Sequence, residues 1–208
     1  MYLIGALRSL LQIPYYSDLH ILLLKLPAIL CDIACGFLLY REAVKRLHFS
    51  DLQGIFAASA YLFQPAVILN SSCWGQVDSV YTLMIILMCL FLMKGNLLPA
   101  YAVYGLGVLL KPQMLIFTPV LLAGIWDHVF LQDFSWRKFF YNLCGGLVVI
   151  CGMLLLCAPF GLTAAISQYT STLGSYEYAA INAYNFWGLL GMNWVDQNTI
   201  FLFLPCKT

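Results

Sequence analysis

The stretch LLPAYAVYGLGVLLKPQMLIFTPVLLAGIW (97–126) decides how this chain is organised. Its only charge is Lys111, which stands directly before Pro112. Proline removes a backbone donor and disfavours helical geometry at the preceding residue, so a helix that reaches this point should end there. We therefore expect two apolar helices, Leu97–Leu110 and Met114–Trp126, in place of one continuous helix.

The composition around this stretch is that of an integral membrane protein. Hydrophobic residues make up 62% of the 208 residues, charged residues 9%, and the mean hydropathy is +0.86. Ordinary soluble domains carry about 25% charged residues. The net charge is +1 and the basic residues are scattered, which gives no reason to expect binding to nucleic acid.

Apolar runs divide the chain into six candidate spans, since a helix needs ~20 residues to cross the hydrocarbon and somewhat fewer where the bilayer is thin. The spans are Leu19–Tyr40, Leu52–Leu69, Ser79–Met93, Leu97–Leu110, Met114–Trp126 and Phe139–Ala158. The predicted fold is all-α, a polytopic membrane helical bundle that forms one transmembrane domain over residues 1–208. The short apolar segment Met1–Ile13 is expected at the membrane interface.

Basic residues follow the first, third and fifth of these spans. They are Arg41, Lys45, Arg46, Lys94, Arg137 and Lys138. The positive-inside bias places these three connections in the cytoplasm and the remaining connections on the outer side. A single helix over residues 97–126 would put Arg137 and Lys138 on the opposite face from Arg41 and Lys94, so the charges also favour the break at Lys111.

Polar segments then converge on the outer side, at Asn70–Asp78, Lys111–Gln113 and the long segment Phe160–Asn198. Ionisable residues at the edge of the hydrocarbon are costly and usually mark a site. A lysine near the break needs an anion, and either Asp78 or a phosphate group would serve. Two structural alternatives stay open: Asp78 could cap the third span, and Lys111 could extend to the head groups.

Two charged residues lie inside the first span, Lys25 and Asp32. They are seven residues apart, about 10.5 Å along a helix, so they cannot pair directly. Exposure of either to lipid would be costly, and each is expected to face other helices or a polar cavity.

Four segments resemble those of bacterial GT-C glycosyltransferases of the Gpi18-like mannosyltransferase family. They are Leu24–Asp32, Leu69–Ser71 with Trp74–Ser79, Leu109–Gln113, and Asn182–Trp187 with Leu190 and Gly191. The resemblance implies a GT-C-like fold with broken helices at the outer face. It also implies transfer of a sugar, mannose in that family, from a polyprenyl-phosphate donor to an acceptor outside a bacterial cytoplasmic membrane. Such enzymes have further segments at both ends, so the chain is expected to be part of a longer protein.

The resemblance also indicates which residues would form the site. The predicted substrate-binding residues are Trp74, Gln76, Asp78, Lys111, Gln113, Tyr176 and Asn185. Lys111 would hold the departing phosphate, the two glutamines would hydrogen-bond sugar or phosphate oxygens, and Trp74 would stack on a sugar ring or anchor the interface. The candidate bases are Asp18, Asp78 and Glu177, although Glu177 also reads as a solvated loop charge.

The sugar donor and membrane lipids are the only partners that these residues indicate. No cofactor or metal site is predicted, a divalent-metal requirement stays open, and motifs for nucleotide, zinc or serine-hydrolase chemistry are absent from the sequence. The alternative function is a transporter or lipid flippase, because transporters hold substrates at broken helices such as the one expected at Lys111.

Overall fold

The computed structural model describes residues 2–131, 134–173, 178, 186–196, 200–201 and 204–205. Most of them are helical. The helices are α1 (Tyr2–Leu10), α2 (Asp18–Lys45), α3 (Asp51–Leu62), α4 (Pro65–Ile68), α5 (Asp78–Met93), α6 (Leu97–Leu110), α7 (Thr118–Trp126), α8 (Trp136–Cys157), α9 (Leu162–Leu173) and α10 (Phe186–Leu189). Short π-helical turns cover Leu69–Cys73 and Asp127–Leu131, and 3₁₀ turns cover Pro112–Phe117 and Ala158–Phe160.

Three helical segments in the described residues are long and apolar enough to cross a membrane. They are Asp18–Lys45, Pro112–Leu131 and Trp136–Phe160. The bent pair Asp51–Leu62 and Pro65–Cys73 makes a fourth if it is one span. The chain therefore has the helices of a membrane protein, as its composition predicts. Helices α5 and α6 are shorter, so the prediction of six crossings stays a prediction.

The break at Lys111 is confirmed. Helix α6 ends at Leu110, Lys111 is extended at φ −152° and ψ 115°, and a 3₁₀ turn from Pro112 leads into α7. The two helices then run antiparallel. Met114 packs against Gly107, and the Tyr104 hydroxyl hydrogen-bonds to Thr118 one turn further along.

The successive helices α2, α3 and α5 alternate in direction. The Tyr40 hydroxyl near the end of α2 donates to Asp51 at the start of α3, at 3.0 Å. At the end of α5, the Met93 carbonyl accepts a 3.0 Å hydrogen bond from Arg46. Helix α5 therefore runs parallel to α2 and antiparallel to α3, which is the alternation that successive crossings require.

The basic residues gather at one end of this bundle. Arg46 reaches Met93, which precedes Lys94, and a pocket of about 200 Å³ is lined by Gly95, Leu97, His128, Arg137, Lys138, Tyr141 and Asn142. The sequence predicted that the connections after the first, third and fifth spans share one side, and this grouping is confirmed. Asp78, at the start of α5, and Lys111, after the end of α6, lie together at the other end of the bundle, away from these basic residues.

The buried core lies between α5, α6 and α7. Its members are Met88, Leu97, Ala100, Tyr101, Met114, Leu121 and Val129. Outside it, large apolar side chains such as Ile116 and Leu155, each 73% exposed, cover the helix surfaces. A soluble protein rarely exposes so much contiguous apolar surface, whereas helices in lipid do so by default.

Residues 1–153 form one compact unit and residues 154–208 another. The second unit contains α9, α10, an isolated bridge between Tyr178 and Asp196, and the two-residue strands β1 (Ile200–Phe201) and β2 (Leu204–Pro205), which pair antiparallel. The prediction of one transmembrane domain over the whole chain stays a prediction.

Close helix packing generates a first prediction, at Gly54 of α3. A Cβ there would lie 2.7 Å from Val44 Cγ2 and 2.9 Å from the Tyr40 ring, both of them stiff side chains. We expect Gly54→Ala to lower the free energy of unfolding in detergent by about 1–3 kcal/mol relative to a matched change at an open glycine.

Gly152 of α8 supplies that control, because nothing lies within 4 Å of its Cβ position. Gly152→Ala should leave stability unchanged or raise it, since alanine is the better helix former by up to ~1 kcal/mol. Thermal unfolding followed by circular dichroism compares the two variants. Equal stabilities would show that α2 and α3 do not pack as closely as described.

Candidate functional site

A bend at Pro65 shapes the candidate site. Because the residue before a proline avoids helical geometry, α3 ends at Leu62 and Gln64 is extended, at φ −64° and ψ 126°. The helical segments on either side of this point are bent by 50°. Beside the bend lies an open cleft of about 540 Å³, lined by Asp32, Tyr61, Gln64, Ala66, Val67, Leu69, Asn70, Trp74, Asp78, Ser79 and Thr82.

An ion pair between Asp78 and Lys111 stands at the mouth of this cleft. It joins the start of α5 to the residue that follows α6. Val77 occupies the cap position of α5 and no side chain caps that helix, so the structure does not show Asp78 in the capping role. Of the two anions expected for Lys111, Asp78 or a phosphate group, the structure shows the pair with Asp78.

Tyr81 holds the Lys111 connection against α5. Its hydroxyl donates to the Gln113 carbonyl at 3.1 Å, and the Lys111 ammonium lies 5.9 Å from the centre of its ring. A cation at this distance from an aromatic ring is weakly attracted by it. The side chains of Asp78 and Lys111 each remain 32% exposed, which leaves the pair accessible to an incoming ligand.

The predicted site residues of the first unit are only partly brought together. Trp74, which is 75% exposed, and Asp78 both line the cleft. Gln76 is exposed, and its backbone N–H donates to the Asn70 carbonyl at 3.0 Å. Gln113 accepts the Tyr81 hydrogen bond with its backbone carbonyl. From the sequence we expect Trp74, Gln76, Asp78, Lys111 and Gln113 to line one outward-opening cavity. Only Trp74 and Asp78 line the cleft; the two glutamines do not, and Lys111 joins it only through its ion pair with Asp78.

The remaining candidates lie elsewhere. Asp18 is exposed in the first turn of α2, ~10.5 Å along the helix from Lys25, whose side chain packs over Gly75 next to Trp74. Gly75 has φ +67°, and a Cβ there would lie 3.1 Å from Lys25 Cγ, so this turn favours glycine. Tyr176, Glu177, Asn185 and the side chain of Trp187 lie outside the described residues, and their predicted roles stay predictions.

Sequence reasoning did not place Asp32 among the site residues. Its side chain lies at the floor of the cleft, 5% exposed, where Oδ1 accepts a 3.0 Å hydrogen bond from the Tyr61 hydroxyl. Oδ2 is buried and has no hydrogen-bond partner in the part of the chain that the structure describes. The signal was present, since a carboxylate inside an apolar span marks a site by default.

The polar groups of the cleft are mostly neutral. Side-chain amides come from Gln64 and Asn70, and hydroxyls come from Ser79 and Thr82. Among the described residues, no group of three or more His, Cys, Asp or Glu side chains could hold a metal ion. Such a surface is suited to a ligand that offers hydrogen bonds.

Comparisons with family models, curated proteins and solved structures gave no match for this chain. The resemblance to membrane glycosyltransferases therefore rests on the sequence segments alone. Its consequences for activity are taken up below as a proposal.

The ion pair generates a second prediction. Removing one partner leaves the other charge uncompensated, so Asp78→Asn and Lys111→Gln should each destabilise the protein, whereas the double variant should recover part of the loss. We expect a coupling of ~0.5–3 kcal/mol from the double-mutant cycle, measured by unfolding in detergent. The cycle for Asp18→Asn and Lys94→Gln, at opposite ends of the bundle, should show no coupling. Additive effects at Asp78 and Lys111 would contradict the pairing.

Proposed function

We propose that this chain contains the substrate-binding part of a membrane glycosyltransferase. The enzyme moves a sugar, mannose in the family it resembles, from a polyprenyl-phosphate donor to an acceptor outside a bacterial cytoplasmic membrane. The observation that carries the proposal is the Asp78–Lys111 pair, which is partly exposed at the mouth of a polar cleft between apolar helices.

The reaction explains why such a pair is useful. The bond between the anomeric carbon and the phosphate oxygen breaks, and the phosphate leaves with the electron pair. The acceptor oxygen bonds to the same carbon, and its proton passes to a carboxylate. Negative charge grows on the leaving phosphate, and an ammonium group such as that of Lys111 stabilises it in the transition state.

A lipid-linked donor also needs a site that faces both lipid and water. In the proposed arrangement, the polyprenyl chain stays among the apolar helices while its phosphate meets Lys111 and its sugar enters the cleft. Asp78 compensates Lys111 while the site is empty, and the phosphate takes over that role when the donor binds. Asp18, Asp78 and Glu177 remain the candidate bases.

The proposed orientation follows from the charges. The basic end, with Arg46, Lys94 and Arg137, faces the cytoplasm, so the cleft opens outward. The chain then crosses six times, with α5 and α6 as short crossings of 16 and 14 residues. These helices rise ~24 and ~21 Å, which suits a site at the membrane edge, where connecting segments dip below the surface.

The broken helix also favours a second candidate, a transporter or lipid flippase that uses the extended backbone at Lys111 to hold its substrate. The two functions differ in their products. Sugar transfer from a polyprenyl-phosphate donor in membranes supports the enzyme, whereas flux of the donor across sealed vesicles without transfer supports the transporter.

A third prediction tests the role of Lys111 in the complete gene product. If Lys111 stabilises the leaving phosphate, Lys111→Met should lower the single-turnover rate of transfer ~10²–10³-fold and weaken donor binding less. The measurement compares purified wild type and variant at matched concentrations of folded protein.

Lys94→Met is the matched control, because Lys94 lies at the basic end of α5. It should leave the transfer rate unchanged. If Lys111 only extends to the head groups, Lys111→Met will change expression or stability and leave turnover of the folded protein intact. Equal rates for wild type and Lys111→Met would therefore remove the catalytic role.

A further inference from the structure

One carboxylate oxygen of Asp32 is buried without a hydrogen-bond donor among the described residues, which costs free energy. The residue is 95% buried in α2, and only one carboxylate oxygen has a partner, the Tyr61 hydroxyl at 3.0 Å. The second oxygen is buried with no partner among the described residues. A buried acceptor without a donor costs ~1–3 kcal/mol, more when it is charged, so this geometry is best explained by a donor that arrives with a ligand.

Asp32 is a buried carboxylate in the lining of the cleft. Asp32 lies seven residues beyond Lys25 on α2, which places it ~10.5 Å further along the helix than the residue that packs over Gly75. Asp32 is 5% exposed, whereas Trp74 is 75% exposed and the Asp78 side chain is 32% exposed, so Asp32 is at the floor of the cleft and the other two are at its mouth. Tyr61 fixes the carboxylate from α3 through Oδ1 and leaves Oδ2 without a donor among the described residues.

The walls of the cleft indicate the chemistry of the ligand. Gln64 and Asn70 can donate and accept at once, the exposed ring of Trp74 offers an apolar face, and Asp32 offers an acceptor. A carbohydrate presents the same combination, hydroxyl groups around a ring with apolar faces. A cation fits less well, because the Lys111 ammonium stands at the mouth and Asp78 already pairs with it.

We propose that Asp32 is a specificity-determining residue, whose Oδ2 accepts a hydrogen bond from one hydroxyl of a hexose held in the cleft. The inference rests on the proposed function in taking a sugar as the ligand. It adds the contact that selects the sugar and places it at the floor of the cleft, away from the phosphate at Lys111. No bond is made or broken at Asp32.

Free sugars test this contact without the transfer reaction. The probes are D-mannose and its 2-, 3-, 4- and 6-deoxy derivatives, and the measurement is their dissociation constant for the purified protein by ligand-observed NMR. For wild type, one deoxy sugar should bind ~10–100-fold more weakly than mannose, because a hydrogen bond to a charged group is worth ~1.5–3 kcal/mol. In Asp32→Asn the same deoxy sugar should bind only ~2–10-fold more weakly than mannose, because the hydroxyl then accepts from a neutral amide N–H, which makes a weaker hydrogen bond.

Asp32→Asn is expected to fold, since its carbonyl can still accept from Tyr61 and the change removes a charge from a helix interior. Asp51→Asn is the matched control: Asp51 begins α3 at the basic end and bonds to Tyr40, and its variant should keep the wild-type pattern. Circular dichroism in detergent verifies that each variant is folded before the sugars are added.

Three results would overturn the proposal. They are failure of wild type to bind any of the sugars, equal binding of all four deoxy sugars and mannose to wild type, and the same discrimination in wild type and Asp32→Asn. Its failure is distinct from that of the proposed function. If the protein discriminates between the sugars through Asp32 but transfers none from a polyprenyl-phosphate donor, the proposed glycosyltransferase function is wrong and the Asp32 contact stands. If it transfers sugar but Asp32→Asn does not change the discrimination, the function stands and the Asp32 contact is wrong.

Discussion

The ion pair between Asp78 and Lys111 joins residues 33 positions apart in the chain and holds the start of α5 to the connection between α6 and α7. It forms only because α6 ends at Leu110 and returns as α7, which brings Lys111 to the level where α5 begins. In a low-dielectric environment each charge alone would be costly, so partial neutralisation lets two ionised groups remain at the edge of the apolar helices. Their one-third exposure keeps them available to a ligand.

Proline determines two of the backbone features that make the cleft. Pro112 ends α6 and puts Lys111 at the mouth, and Pro65 bends the segment after α3 by 50° relative to that helix. Both act through the residue before them, Lys111 or Gln64, which becomes extended. The 50° bend lies beside the polar cleft, which is lined by Gln64 at the bend and by Asp32.

Much of this arrangement could be predicted from local signals. Hydrophobic runs located the helices, Lys111 before Pro112 located the break, and the basic residues correctly grouped one set of connections. Contacts between distant residues could not be predicted in the same way. Tyr61 meets Asp32 across 29 residues because α2 and α3 pack closely where Gly36 admits Leu62, which no periodicity in either segment reveals. Gln76 and Gln113 were predicted to line the cleft because they are close in sequence to Asp78 and Lys111. They do not line it, because closeness in sequence does not fix the direction of a side chain.

The order of residues in the α6–α7 hairpin has a consequence for biogenesis under the proposed orientation. Helix α6 has 14 residues, fewer than the ~20 that hold a helix stably in a bilayer, so it should leave the insertion machinery together with α7 as a hairpin. The tip of that hairpin carries Lys111, whose charge must then be moved across the membrane. Asp78 precedes Lys111 in the order of synthesis, so under the proposed orientation the helix that carries the counter-ion leaves the ribosome before the lysine does.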